Sequence, residues 1–182
     1  MTQQNNRRNN NNNKNRNNNR NNNYRQQQPQ HKLNSSWSIY IHEVNEKDWS
    51  LESYIKVYTV KTIEDFWIFF NNFKDLNKYM FFIMRGDIKP VYEDPENKNG
   101  GSYSFMINPY HLRNTVIYTS ICMLAEQLNK SDKTMEINGL SLVPKPNHTI
   151  MKIWTKTKQN PVKLTIAHQG LKNGRFQPHR FY

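Results

Sequence analysis

Alternation of large apolar and polar side chains sets in at Trp37. Trp37-Ser-Ile-Tyr-Ile41 and Tyr54-Ile-Lys-Val-Tyr-Thr-Val60 are rich in aromatic and β-branched residues, and each predicts a strand. Thr62-Ile-Glu-Asp65 offers an N-cap hydroxyl with a carboxylate three positions on, and Ile63, Phe66, Trp67 and Phe70 follow at helical spacing. A helix is expected there. Tyr79 to Arg85 and Tyr103 to Ile107 predict two more strands, separated by a polar loop from Asp87 to Gly101 that ends in Asn99-Gly100-Gly101. The longest helical pattern starts near Asn108-Pro109 or a turn later and puts Val116, Ile117, Ser120, Ile121, Leu124, Ala125 and Leu128 on one side. Met135 to Val143 and Thr149 to Thr155 predict a strand pair joined by the turn Pro144-Lys-Pro146-Asn147. Asn160-Pro161 opens a last helix to about Gln169, and Phe176 to Tyr182 predicts a final short strand. Serial strands with short polar turns and single interspersed helices favour an α+β domain, an antiparallel sheet with helices on one face.

The first 36 residues behave differently. They are mostly Asn and Gln, with Arg7, Arg8, Lys14, Arg16, Arg20, Arg25 and Lys32 and no carboxylate, so they hold seven of the twelve excess positive charges. Leu33 is their one aliphatic side chain beyond Met1, too little apolar surface to offset chain entropy. Residues 1–36 are therefore expected to form a tail, disordered to about Leu33, ahead of a single domain over 37–182. A low-complexity extension is the plainer reading of this tail, and an unspecific phosphate-binding arm the sharper one.

With 182 residues and 13% aromatic side chains, the chain is rich in rings for so polar a protein. No stretch approaches the roughly 20 apolar residues of a membrane-spanning helix. The beginning of the chain lacks the apolar core of a secretory signal, and Cys122 alone cannot build an intramolecular disulfide, so a reducing, cytoplasmic setting is expected. Phosphate loops of the P-loop or dinucleotide type, His-Glu-x-x-His, Cys-x-x-Cys and Gly-x-Ser-x-Gly are all missing, which argues against an enzyme. Asp94 and Glu96 flank Pro95, but two solvated loop carboxylates are no catalytic constellation. Cys122 sits in an apolar helical pattern and reads as a small hydrophobe.

Rings beside single charges carry more information. Trp49 lies in the polar run Glu46-Lys-Asp-Trp-Ser50, and Tyr92 precedes Glu93 in the long polar loop. Trp154 ends a strand whose same-face neighbours are Lys152 and Ile150. Two loop rings can sandwich a flat base, a neighbouring carboxylate can read a purine edge, and lysines can neutralise phosphates.

The run Thr62-Ile-Glu-Asp-Phe-Trp67, then Ile88-Lys-Pro-Val-Tyr-Glu-Asp94 and Asn97-Lys-Asn-Gly-Gly101, resembles the 4E family of translation initiation factors, which bind the messenger RNA cap. His31-Lys-Leu33 followed by Trp37, Lys47-Asp-Trp49, Cys122 to Glu126 and Ile153-Trp154-Thr155 keep the family order, so the resemblance spans residues 31 to about 170. It implies a cupped antiparallel sheet with helices on its convex back and the cap in its concave face. Trp49 and Tyr92 match the two rings that stack 7-methylguanine, Tyr92 standing where the family has tryptophan. Glu93 matches the glutamate that pairs with guanine N1 and N2 hydrogens, and Trp154 completes the base site. Methylation at N7 makes the base a cation, which strengthens both the stack and the pairing. Lys145 and Lys152 are the phosphate candidates, and Ser102 replaces a supporting arginine. On the back, Trp67 matches the tryptophan that receives a Tyr-x-x-x-x-Leu-hydrophobic helix of a 4G-type scaffold, with Ile63, Ile117 and Ile121 as apolar neighbours. Tyr118 and Lys32 replace a glutamate and a proline of relatives at this surface.

The resemblance thus implies a noncatalytic, cofactor-free factor, monomeric outside its complex, with capped messenger RNA and a scaffold as partners and no membrane. A cap-binding repressor that recruits no scaffold is the first alternative. The second is a basic RNA-binding module whose affinity falls with salt and ignores the cap. The Asn-rich tail and divergent positions fit a source among protists or large DNA viruses.

Overall fold

The computed structural model describes residues 30–128, 136–158 and 172–179. Among these, seven strands form one sheet: β1 Lys32–Glu43, β2 Ile55–Thr62, β3 Tyr79–Arg85, β4 Gly101–Ile107, β5 Ile137–Pro144, β6 Thr149–Thr155 and β7 Lys172–Pro178. Helix α1, Ile63–Asn72, leaves β2 directly, and α2, Leu112–Leu124, follows β4 through a short 3-10 turn at Pro109–His111. The strand order is β2-β1-β3-β5-β6-β4-β7, and every neighbouring pair is antiparallel. The α+β expectation of one curved antiparallel sheet with helices on a face holds.

Strand parity divides the side chains between two layers. Trp37 and Ile39 of β1, Phe81 and Ile83 of β3, Leu140 and Leu142 of β5, and Met151 and Ile153 of β6 enter the core with the helices. The intervening residues Tyr40, Met80, Phe82, Met84 and Trp154 form a second, smaller apolar cluster on the opposite face. Covered on both sides, β3 reads as an uninterrupted apolar run.

Thr62 caps α1 as its spacing predicts: its hydroxyl accepts from the Asp65 amide at 3.0 Å and the Asp65 carboxylate accepts from the Thr62 amide at 3.0 Å. Phe66 and Phe70 are buried, while Trp67 points outward. At the other end of α1 the Arg113 guanidinium from α2 donates to the Phe70 and Phe73 carbonyls, which lack helical partners.

Two strand boundaries and one helix face differ from the sequence expectation. The first strand begins at Lys32 instead of Trp37, because its early residues pair with β2 at Thr62, Leu33 packs against the core, and Arg85 donates to the Ser35 hydroxyl at 2.7 Å. Strand β7 spans Lys172–Pro178 instead of Phe176 to Tyr182, since its register follows pairing with β4. Helix α2 buries Thr115, Val116, Thr119, Ser120 and Met123, so its inward face is rotated from the predicted stripe, leaving Ile121 and Ala125 exposed. Small side chains at that contact let the helix sit close to the sheet. The predicted helix from Asn160 to Gln169 lies outside the described residues.

Candidate functional site

A cleft of about 470 Å³ opens on the concave face. Its floor comes from parity: Met80 and Phe82 of β3, Ser141 and Val143 of β5, and Lys152 and Trp154 of β6. Two loops supply the walls, one carrying Trp49 and the other Pro90, Val91, Tyr92 and Glu93. The structure therefore brings Trp49, Tyr92, Glu93, Trp154, Lys145 and Lys152 to one cavity.

Each wall ring is supported from behind. Trp49, 54% exposed, lies parallel to the His42 imidazole, with centroids 4.6 Å apart and 7° between planes. Tyr92 packs against Trp154 at 4.9 Å and His179 at 4.5 Å, and its hydroxyl accepts from Lys152 Nζ at 2.9 Å. Trp154 is buried, with its indole N–H donating to Ser141 Oγ at 2.9 Å, so it is floor and not a third open platform. Glu93 is exposed beside Tyr92. Burial chiefly, and then the charges of Glu93 and Tyr92, push the Tyr54 hydroxyl up to about 12, which keeps it a neutral hydrogen-bonding group at the cleft wall.

The loop that presents Tyr92 and Glu93 is held by its own polar residues. Asp94 accepts from the Lys89 amide at 2.8 Å and from the Glu96 amide at 2.9 Å, while Glu96 pairs with Lys156 at 3.0 Å. These two carboxylates serve the loop's conformation. Asn97 is fully buried, donating to the Lys89 and Val91 carbonyls at 2.9 Å and accepting from Asn138 at 3.0 Å. Its carbonyl accepts from His179 Nδ1 at 2.8 Å, and burial above all holds that imidazole below its ordinary range. Gly100 follows because a Cβ there would lie 1.8 Å from the Thr155 carbonyl oxygen.

The two lysines differ. Lys152 is partly buried and tethered to Tyr92, whereas Lys145 stands exposed at the cleft rim, its amide donating to the His148 carbonyl at 2.8 Å across the β5–β6 turn. Glu93 and the two ammonium groups thus put one negative and two positive charges around the rings.

A sequence profile for eukaryotic initiation factor 4E matches residues 32–174. The chain belongs to the eukaryotic initiation factor 4E family. Isoform 4E of Arabidopsis thaliana is 30% identical over 149 residues, covering 76% of this chain and 73% of that protein. The initiation factor 4E of Dictyostelium discoideum is 27% identical over 140 residues, covering 72% of this chain and 54% of that protein. The chain thus spans between about half and three-quarters of these two relatives. Its fold is shared with Ascaris suum eIF4E-3 solved with an m2,2,7G cap, at a TM-score of 0.69 and 18% identity over 84% of this chain and 93% of that one. A schistosome eIF4E solved with m7GpppG and 4E-BP gives a TM-score of 0.65 at 22% identity, over 73% of this chain and 76% of that one. The initiation factor 4E family is not one of enzymes, in keeping with the lack of a catalytic motif in the sequence.

This member of the 4E family also carries an apolar groove of about 190 Å³ on its helical back, lined by Leu33, Ile63, Phe66, Trp67, Ile121, Leu124 and Ala125. Ile63, Trp67 and Ile121 are 45%, 41% and 40% exposed, an apolar surface that a soluble helix face does not ordinarily leave open. Ile117 is not part of the groove wall; it is half-buried and packs against the core. Leu33, at the start of β1, completes the groove.

Sequence reasoning missed His42 and His179, the two imidazoles behind the stacking rings. For His42 a signal existed, since parity places it with Ser38 and Tyr40 on the face away from the helices. His179 had none, because it reaches Asn97 through the pairing of β7 with β4.

Proposed function

We propose that this chain binds the 7-methylguanosine cap of messenger RNA and joins it to a scaffold protein in translation initiation. The observation that carries this reading is that Trp49, Tyr92 and Glu93, 43 residues apart in sequence at the extremes of the two rings, line one cleft. Trp49 and Tyr92 stack the cationic base, Glu93 accepts from its N1 and N2 hydrogens, and Lys145 and Lys152 meet the phosphates. Trp154 forms the floor beneath the base. An uncharged, unmethylated guanine loses part of both the stack and the pairing, which gives selectivity. The family membership and the cap-bound relatives of the same fold support the base site; the groove around Trp67 supports a helix-bearing partner of the 4G type.

The binding unit acts without a cofactor, as a monomer outside its complex, in the cytoplasm. The residues ahead of β1 carry Arg7, Arg8, Lys14, Arg16, Arg20 and Arg25. Retention on immobilised 7-methylguanosine triphosphate tests the reading: elution by the methylated nucleotide and not by guanosine triphosphate is expected, and equal elution by both contradicts it. Lys32 and Tyr118, which stand where relatives have a proline and a glutamate, favour a second reading, a cap-binding repressor. Pull-down with a Tyr-x-x-x-x-Leu-hydrophobic peptide, with Trp67→Ala as control, separates recruiter from repressor.

A further inference from the structure

The His42 ring is 1% exposed on the concave side of β1, opposite Met80 of β3. Its Nδ1 lies 2.7 Å from the Glu43 carbonyl oxygen and its Nε2 lies 2.9 Å from the Asp48 carbonyl oxygen. Carbonyl oxygens only accept. Both contacts are hydrogen bonds only when both ring nitrogens carry a proton, that is, in the imidazolium; a neutral ring sets a lone pair against one of the two oxygens. These two carbonyls stand at opposite ends of the 43–48 loop, and Trp49 is the next residue.

One face of the Trp49 indole is covered by His42, nearly parallel at 4.6 Å, while the residue as a whole is 54% exposed and lines the cleft. The free face is the one open to a base. The titratable groups around His42 are Glu43 beside it on β1, Asp48 in the loop and Tyr54 at a centroid distance of 4.8 Å; β3 presents apolar Met80. Hydrogen bonds from Ser50, amide first and hydroxyl second, hold the Asp48 carboxyl below its usual range, with the His42 charge adding to the effect. Asp48 is thus an anion in the same loop. At this buried position the His42 ring thus meets two carbonyl oxygens and the face of the indole.

We propose that His42 is the positioning residue for Trp49: as an imidazolium it ties both ends of the loop and holds the indole flat toward the cleft, so that loss of its proton loosens the cap site. This deepens and rests on the cap-binding reading. The cap base is itself a cation on the far face of the indole, and its repulsion from the imidazolium opposes the gain from loop order. Loop order decides the sign, and affinity falls as the pH rises.

Two measurements test this. Nitrogen-15 spectra of the free, full-length protein read the ring directly at about pH 6, with amide exchange of residues 44–49 followed up to about pH 8. Two protonated ring nitrogens and loop protection that is lost together with one of them are expected. A single protonated nitrogen throughout, with unchanged loop protection, overturns the proposal, whether or not the cap binds. In parallel, 7-methylguanosine triphosphate affinity is measured across the same range for the wild type and for His42→Phe, which keeps a ring under the indole and removes both ties. The wild type is expected to lose about tenfold more affinity than His42→Phe, the worth of one charged hydrogen bond; the titration of the base itself is common to both and cancels. Parallel profiles overturn the proposal. Failure of both proteins to bind at any pH counts against the cap reading, and the spectra then decide the role of His42 alone.

Discussion

Lys152 Nζ donates to the Tyr92 hydroxyl at 2.9 Å, joining a candidate phosphate ligand to a candidate stacking ring in the free protein. The contact exists because β6 parity and the loop after β3 converge on one cleft wall, and because the ring at this position carries a hydroxyl. It has a direct consequence for phosphate recognition.

With Tyr92→Phe the stack remains and the tether is lost. Binding of the 7-methylguanosine nucleoside is expected to stay within a factor of about two, while the triphosphate weakens about fivefold, the equivalent of one hydrogen bond of about 1 kcal/mol. Isothermal titration with both ligands checks this, and equal losses for the two contradict it.

Removing the proposed base-reading carboxylate is expected to do more. Glu93→Ala leaves the guanine edge without an ionised acceptor, and a loss of about 1.5 to 3 kcal/mol in cap affinity is expected. Guanosine triphosphate binding should change less, since its neutral base gains less from that anion. A Glu93→Ala protein that retains full preference for the methylated nucleotide speaks against the assigned role.

The back groove is separable from the cleft. Trp67→Ala is expected to cost at least about 2 kcal/mol in binding of a Tyr-x-x-x-x-Leu-hydrophobic peptide, as for a central interface tryptophan, with cap affinity unchanged. Fluorescence anisotropy of a labelled peptide and a cap titration on the same preparation provide the two readouts.

Asn97 anchors the Tyr92 loop from inside. Asn97→Ala leaves the Lys89 and Val91 carbonyls and the Asn138 amide without their partner, at a cost of about 3 kcal/mol in urea unfolding. Cap affinity should fall with it because the ring and Glu93 are carried by the same turn.

Glu64 introduces a pH dependence at the start of α1. Its carboxyl is held down to about 2, first by the hydrogen bond with the His31 side chain, at 2.7 Å. A lowered carboxyl contributes stability above its unfolded-state value and loses it as the pH falls toward the folded value. The wild type is therefore expected to exceed Glu64→Gln in thermal stability near neutrality, with the gap closing between about pH 4.5 and pH 2. Both groups face solvent, so the gap is small.

The legible parts of this chain are those set by local chemistry. Alternation at Trp37 to Ile41 and the Thr62–Asp65 cap predict elements that form as read. Trp49 and Tyr92 stood out because a large ring in a polar loop has no local structural reason to be there, and Glu93 through its place beside Tyr92. The face of α2 was not legible: buried Thr115, Thr119 and Ser120 follow from close approach to the sheet, and the apolar Ile121 is left for the groove. His179 and the early start of β1 depend on pairings between distant segments, which periodicity does not encode.

The central claim is that the indole at Trp49 and the ring at Tyr92 close on a cationic base. Titrating the protein with 7-methylguanosine triphosphate and with guanosine triphosphate while following tryptophan fluorescence tests it most directly. Saturable quenching by the methylated nucleotide, far weaker quenching by the unmethylated one, and loss of the effect in Trp49→Ala are predicted. Quenching that is the same for both nucleotides, or that persists undiminished in Trp49→Ala, contradicts the account.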